Sequence, residues 1–261
     1  MKQHNVKIKS IQHITHDVIQ IVAEKPGNYM FIPGQATEIS INKIGWQNDK
    51  RPFTFTSLPN NDYLQFTIKT YPSHKGVTNE MLKLEIGDEL ILDEVFGAIN
   101  YKGEGVFIAG GAGITPFISI FRNLHSVNLI GNNKLIFANK TKDDIILADE
   151  FGSLLGENFI NILSEDTPTL WQNTTQRESL TKEKPGHDGQ GKSEDLHLEL
   201  STNDKKNEFA YGLITESFLK EHITPMFENF YVCGPPIMID AIEKQLANLH
   251  INANAIVKET I

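Results

Sequence analysis

Residues 105–121 read Gly-Val-Phe-Ile-Ala-Gly-Gly-Ala-Gly-Ile-Thr-Pro-Phe-Ile-Ser-Ile-Phe, and they constrain the fold more than any other stretch. The apolar run 106–109 suits a short strand buried on both faces. Gly110, Gly111 and Gly113 then allow a sharp turn whose bare backbone can lie against a ligand. Thr115 is expected to cap the following helix with its hydroxyl, and Pro116 suits a first helical position, where no amide donor is needed. A helix begun this way points free N–H groups at an anion, most naturally a phosphate. Taken alone, the stretch reads equally as a tight strand-to-helix turn. Pro116 stands where the third glycine of a G-x-G-x-x-G fingerprint would be, so the context must decide.

The rest of the second half supplies that context. Strands are predicted at 134–139, 159–163, 230–233 and 255–258, with helical patterns at 144–155 and 237–249 between them. Such alternation implies a parallel sheet with helices on both faces. Ligands of these sheets sit at the carboxyl ends of strands, where residues 110–115 and the Cys233-Gly234-Pro235-Pro236 turn both fall. Residues 165–207 break the rhythm. They are long, polar and charged, and are read as an insertion with a hairpin at 196–200. His187, Asp188 and His197 within it have no ligand spacing and read as surface residues, so no metal site is expected.

Residues 6–95 read mostly as strands: 18–22, 36–41, 53–56, 64–68 and 89–92, separated by turn signals such as Pro33-Gly34 and Gly87-Asp88. Short strands at this spacing point to a small antiparallel barrel. One helical piece, 78–84, follows Gly76-Val77, with Thr78 as its expected cap. Two places here could bind a ligand. Arg51 offers a fork of donors for phosphate oxygens, Phe53 a ring to lie on a planar group, and Thr54 a hydroxyl. On their own, these residues read as a surface charge followed by ordinary strand alternation. Gly76-Val77-Thr78 is a second possible anion site and equally an ordinary helix start.

Composition narrows the class. With 261 residues, one large or two modest domains are expected. The formal net charge of -9 argues against a general nucleic-acid binder. The single cysteine, Cys233, excludes an internal disulfide and an iron–sulfur cluster held by this chain's thiolates alone. No apolar run approaches the ~20 residues of a membrane span, and the first residues lack a signal-peptide core, so a cytoplasmic location is expected.

The order Pro33-Gly34-Gln35, Arg51-Pro52-Phe53-Thr54, Gly76-Val77-Thr78, Gly87-Asp88, Gly110–Pro116 and Cys233–Pro236 resembles the ferredoxin–NADP reductase superfamily of two-domain flavoenzymes. The resemblance covers nearly the whole chain outside 165–207. It implies an antiparallel six-stranded Greek-key β-barrel binding FAD (residues 1–101), then an α/β doubly wound parallel sheet binding NAD(P) (residues 102–261). It also implies roles. Arg51 and Pro52 would lie at the FAD pyrophosphate, with Phe53 stacked beside the flavin and Thr54 near its N5. Ile68 and Lys69 would join the flavin site, and the main chain of Gly76, Val77 and Thr78 would hold the pyrophosphate. Gly111, Gly113 and Thr115 would take the nicotinamide dinucleotide. Cys233, Gly234 and Pro235 would shape the nicotinamide pocket, and Glu259 would stand near the flavin. Thr54, Cys233 and Glu259 are the residues expected at the reacting atoms.

Two departures matter. Phe53 stands where the family usually has tyrosine, so stacking survives without one hydroxyl. The chain also ends Glu259-Thr260-Ile261, without the terminal aromatic of plant-type members. The implied activity is hydride transfer from NAD(P)H to FAD, with electrons passed on to ferredoxin, flavodoxin, an oxygenase or a haem protein. The competing reading is a non-catalytic flavin-binding sensor or regulatory subunit. After residue 163 come Ser164, Glu165 and Asp166, where NADPH-specific relatives tend to place an arginine. Two carboxylates there would repel a 2′-phosphate, so NADH is expected over NADPH, despite Lys140 and Lys142 nearby.

Overall fold

The computed structural model describes residues 3–71, 73–166, 209–224 and 227–260. The expected hairpin at 196–200, the residues His187, Asp188 and His197, and all of the expected insertion beyond residue 166 lie outside the described residues.

The first sheet has six strands: β1 (His4–His13), β2 (Val18–Glu24), β3 (Ala36–Ile41), β4 (Arg51–Thr54), β5 (Tyr63–Lys69) and β6 (Glu89–Phe96). Their order is β4-β3-β6-β1-β2-β5, and every neighbouring pair is antiparallel. An antiparallel bridge between Phe55 and Phe66 ties the end of β4 back to β5, so the sheet closes on itself. Alternate side chains point inward. Ile8, Ile21, Ile39, Phe55, Phe66 and Leu92 make the barrel core. Helix α1 (Val77–Glu80) begins one residue before the sequence implied. Its N-cap is Gly76 with no side-chain cap bond, and Val77 is sunk in the barrel core, so Thr78 is not the cap.

The second sheet has β7 (Gly105–Gly110), β8 (Lys134–Asn139), β9 (Phe159–Leu163), β10 (Ala210–Tyr211), β11 (Asn229–Gly234) and β12 (Ile256–Thr260), in the order β10-β9-β8-β7-β11-β12, all parallel. Helices α2 (Thr115–Ser126), α3 (Ala148–Leu155), α4 (Glu216–His222) and α5 (Pro236–Asn248) cover it. All six residues of β7 are buried. Phe107 and Ala109 face one core with Phe117, Phe121, Phe137 and Phe151 of α2, β8 and α3. Val106 and Ile108 face another with Phe230, Ile239, Ile242 and Leu246 of β11 and α5. This double burial is why the run carries no polar alternation.

Two expectations of local structure change. Residues Gly111–Ile114 form a 3-10 turn, α2 starts at Thr115 itself, and Ile114 occupies the N-cap without a side-chain bond. Thr115 therefore does not cap, although Pro116 does lie in the first turn. The helix expected over 144–155 is split. Thr141 and Asp144 close their own 3-10 turn through a capping box, Leu147 takes a left-handed φ of 55°, and α3 begins only at Ala148. Among the described residues, no helix is long and apolar enough to cross a membrane.

Candidate active site

The sheet order reverses between β7 and β11: β8, β9 and β10 lie to one side of β7, and β11 and β12 to the other. Open α/β sheets bind ligands at such a switch point, beyond the strand ends. Here those ends face the barrel across a cleft of about 1000 Å³. The barrel contributes Arg51, Pro52, Phe53 and Thr54 from β4, Ile68 and Lys69 from the end of β5, and Thr78 of α1. The parallel sheet contributes Gly111, Thr115, Cys233, Pro235 and Glu259. Residues drawn from motifs far apart in sequence thus share one cavity.

The glycines of the turn serve different ends. Gly111 has φ 52°, and a Cβ built on it would meet no atom within 4 Å, so its main chain lies bare to the cleft. Gly113 does not line the cleft. A Cβ there would stand 2.2 Å from the Cys233 carbonyl oxygen, so this glycine lets the turn pack on β11. Gly234 also sits behind the cleft wall, with no room for a side chain beside Met238. Val77 faces the barrel core and Gly76 is its helix cap; neither side lines the cavity.

Arg51 donates to the Lys50 carbonyl at 2.7 Å and, among the described residues, forms no ion pair. Its remaining donors suit an anionic ligand. Lys69 is different. Its ammonium lies 2.7 Å from the Asp17 carboxylate and 3.8 Å from that of Asp144, which also approaches His16. Lys69 thus joins the barrel to the turn after β8 as well as lining the cleft. Burial tends to raise the pKa of Asp144. The bonds it accepts from the Thr141 hydroxyl and amide, with the charges of Lys69 and His16, outweigh this and hold it below the usual carboxylate value.

Cys233 is fully buried on β11. Burial, then the nearby Glu259 carboxylate, pushes its thiol pKa up, so it stays protonated. Glu259 on β12 accepts hydrogen bonds from the amides of Ile99 and Ala98, in the segment joining the two sheets. Burial raises its pKa more than those bonds lower it. Two further contacts join the halves. Ser119 Oγ of α2 accepts from the Gly34 amide at 3.0 Å. Arg122 of α2 reaches the Thr56 carbonyl at 2.7 Å and Gln65 at 2.6 Å, while its other edge grips Glu150 at 2.6 and 2.7 Å.

At the β8–β9 end, Lys140 pairs with Glu165 at 2.8 Å, and the Glu165 amide bonds the Lys140 carbonyl at the same distance. Asp166 accepts from the Lys142 amide at 2.8 Å. Both carboxylates expected to discriminate between dinucleotides therefore engage the lysine segment opposite. Sequence reading missed several cleft residues: Tyr71, Phe96, Leu213 and Ile237, all apolar yet exposed, and Asn139. Exposed apolar side chains at strand and helix ends were the available signal.

The cavity fits the cofactors implied. Gly111 leaves main chain open to it, Arg51 has unengaged donors, and Asn139 presents a buried amide with no partner among the described residues. Residues 3–89 match the model of an FAD-binding domain, and residues 107–179 that of an oxidoreductase NAD-binding domain. The chain thus pairs an FAD-binding domain with an oxidoreductase NAD-binding domain. It is 24% identical over 267 residues to the reductase component of propane 2-monooxygenase from Mycolicibacterium smegmatis, covering 98% of this chain and 65% of that protein. It is 27% identical over 254 residues to NADH-cytochrome b5 reductase 2 of Mycosarcoma maydis, covering 90% of this chain and 62% of that protein. The chain thus spans a little under two thirds of the length of these relatives. The fold superposes on a ferredoxin NADP+ reductase from Neisseria gonorrhoeae, crystallised with FAD and NADP, with a TM-score of 0.74 at 18% identity, covering 100% of this chain and 99% of that one.

Proposed function

We propose that this chain is an NADH-dependent flavoprotein reductase that hands electrons to a separate redox protein. The observation that carries this reading is the single cleft in which Arg51, Phe53 and Thr54 of the barrel face Gly111, Thr115 and Cys233 of the parallel sheet. FAD bound there would supply the chemistry, taking a hydride at N5 from the nicotinamide and giving up its electrons singly. The residues of this chain would bind, orient and shield. Arg51 would neutralise pyrophosphate oxygens, Phe53 would lie beside the isoalloxazine, and the Thr54 hydroxyl would hydrogen-bond near N5. The bare main chain at Gly111 and the first turn of α2 would receive the dinucleotide phosphates. Cys233, held neutral, would act through its size, and Pro235 would form the adjoining wall. Glu259, anchored on the Ala98 and Ile99 amides, would set the distance between the two halves and exclude water. On this reading, residues 1–101 bind the flavin and 102–261 the dinucleotide.

The acceptor class rests on the relatives. Their names place them beside an oxygenase and cytochrome b5, which favours an oxygenase component or a haem protein here. The Lys140–Glu165 pair supports NADH, because the lysine that lines the cleft just after β8 is already matched by a carboxylate. Anaerobic mixing of the FAD-loaded protein with each dinucleotide tests the proposal. Rapid bleaching of the flavin by NADH, with a higher kcat/KM than for NADPH, is expected. Protein that stays yellow with both is a flavin-binding sensor or regulatory subunit and not a reductase.

A further inference from the structure

We propose that the side-chain amide of Asn139 reads the ribose hydroxyls of the dinucleotide's adenosine half. The inference rests on the dinucleotide reading above and names a recognition residue within it. Asn139 is the last residue of β8, lines the cleft, and is only 8% exposed. Its main-chain carbonyl is satisfied by the Ser164 amide at 3.0 Å. Its side chain is not: neither Nδ2 nor Oδ1 has a partner among the described residues. A buried carboxamide with both ends unmatched is rare, because each unmatched group bears its full desolvation penalty. At the edge of a ligand cleft, it reads as a donor–acceptor pair kept for the ligand.

Position says which part of the ligand. Cys233 and Glu259 stand at the ends of β11 and β12, on one side of β7, and β8 stands on the other. A dinucleotide with its nicotinamide over Cys233 must cross the turn after β7 at Gly111 and leave its adenosine half over β8. Chemistry narrows it further. Phosphate oxygens only accept, and would leave Oδ1 without a donor. A ribose hydroxyl both donates and accepts, and matches the amide atom for atom. The ribose is also the first group beyond the pyrophosphate on that side.

The test is a cycle on the FAD-loaded protein. Wild type and Asn139→Leu are each titrated calorimetrically with ADP and with 2′,3′-dideoxy-ADP. Wild type is expected to lose roughly tenfold in affinity for the dideoxy ligand, as one or two neutral hydrogen bonds would give. Asn139→Leu should bind ADP roughly tenfold more weakly and be indifferent to the missing hydroxyls. Its melting temperature without ADP should not fall, since an unmatched amide has been replaced by an apolar group of similar size. Asn139→Ala runs the same cycle if leucine does not fit. Equal dideoxy penalties in wild type and variant would overturn the assignment. So would a lowered melting temperature with unchanged ADP affinity, which would mark a structural amide. Wild-type protein that binds neither ADP nor NADH would instead remove the dinucleotide reading itself.

Discussion

Gly113→Ala isolates the geometry that joins the turn after β7 to the Cys233 end of the cleft, the proposed phosphate and nicotinamide sites. The new Cβ would lie 2.2 Å from the Cys233 carbonyl oxygen, 2.5 Å from its carbon and 2.7 Å from the Gly234 nitrogen. All three are backbone atoms, so no side chain can swing aside. Ordinary contact begins near 3.4 Å, so the turn must retreat from β11 by about 1 Å, an overpacking that costs roughly 1–3 kcal/mol. The catalytic cost is larger. Gly111 and Thr115 lie on the moving side and Cys233 on the other, and a misplacement of about 1 Å lowers rates by around a hundredfold. Stopped-flow bleaching of the flavin by NADH under anaerobic conditions measures the rate, and thermal melting measures the stability. Gly111→Ala is the comparison. It meets no atom, costs about 1 kcal/mol for its left-handed φ, and should chiefly weaken dinucleotide binding, because its methyl group projects into the cleft. If Gly113→Ala bleaches and melts like wild type, the packing argument is wrong.

Arg122→Leu removes the bonds to Thr56, Gln65 and Glu150 together. With both charged side chains part-exposed, about 2–3 kcal/mol should be lost, read as a lower urea midpoint; an unchanged midpoint would show the bridge to be ornamental. Glu259 has a folded pKa raised above the ordinary carboxylate value, so the stability it contributes is full below that ordinary value and is lost as pH rises through the folded pKa. Glu259→Gln should therefore melt higher than wild type at about pH 7–8, and the gain should vanish near pH 4; a gain that grows toward acid would reverse the assignment. Arg51→Ala should weaken FAD binding by about 1.5–3 kcal/mol, since no internal ion pair is broken among the described residues. Equal flavin affinity, by fluorescence titration, would remove Arg51 from the pyrophosphate.

Patterns carried by burial were legible. The strands Ala36–Ile41, Lys134–Asn139 and Phe159–Leu163 have the bounds that their apolar runs predict. The ten residues of β1 went unnamed because lysine, serine and glutamine interrupt their alternation, and their pairing with β2 and β6 is decided elsewhere in the chain. The threonine caps failed for a different reason. Thr115 and Thr78 have the right side chain, but the turns before them already run as helical backbone or begin one residue early. At the site, glycine clusters and the Arg51–Thr54 motif were visible because each demands particular residue types in a row. Lys69 shows the limit: it was expected at the cofactor, and it does line the cleft, but its bonds to Asp17 and Asp144 depend on pairings no local pattern encodes. Asn139 was invisible for the same reason, since only the fold reveals that its amide has nothing to bond.

The place of β11 between β7 and β12 also bears on how the molecule assembles. The turn after β7 is built from neighbours in sequence, and β8 returns to β7 after a single helix. The partner that brings Cys233 alongside comes from far down the chain: the Tyr231 hydroxyl of β11 bonds Gly103 across 128 residues. Long-range pairings of this kind form late, because loop closure must precede any contact that rewards it. The side of the cleft at Gly111, proposed to take the dinucleotide phosphates, should thus mature before the side at Cys233, proposed to face the nicotinamide. A chain folded only as far as β9 would, on the proposed reading, have the turn that receives the dinucleotide phosphates but lack the Cys233 wall that orients the nicotinamide.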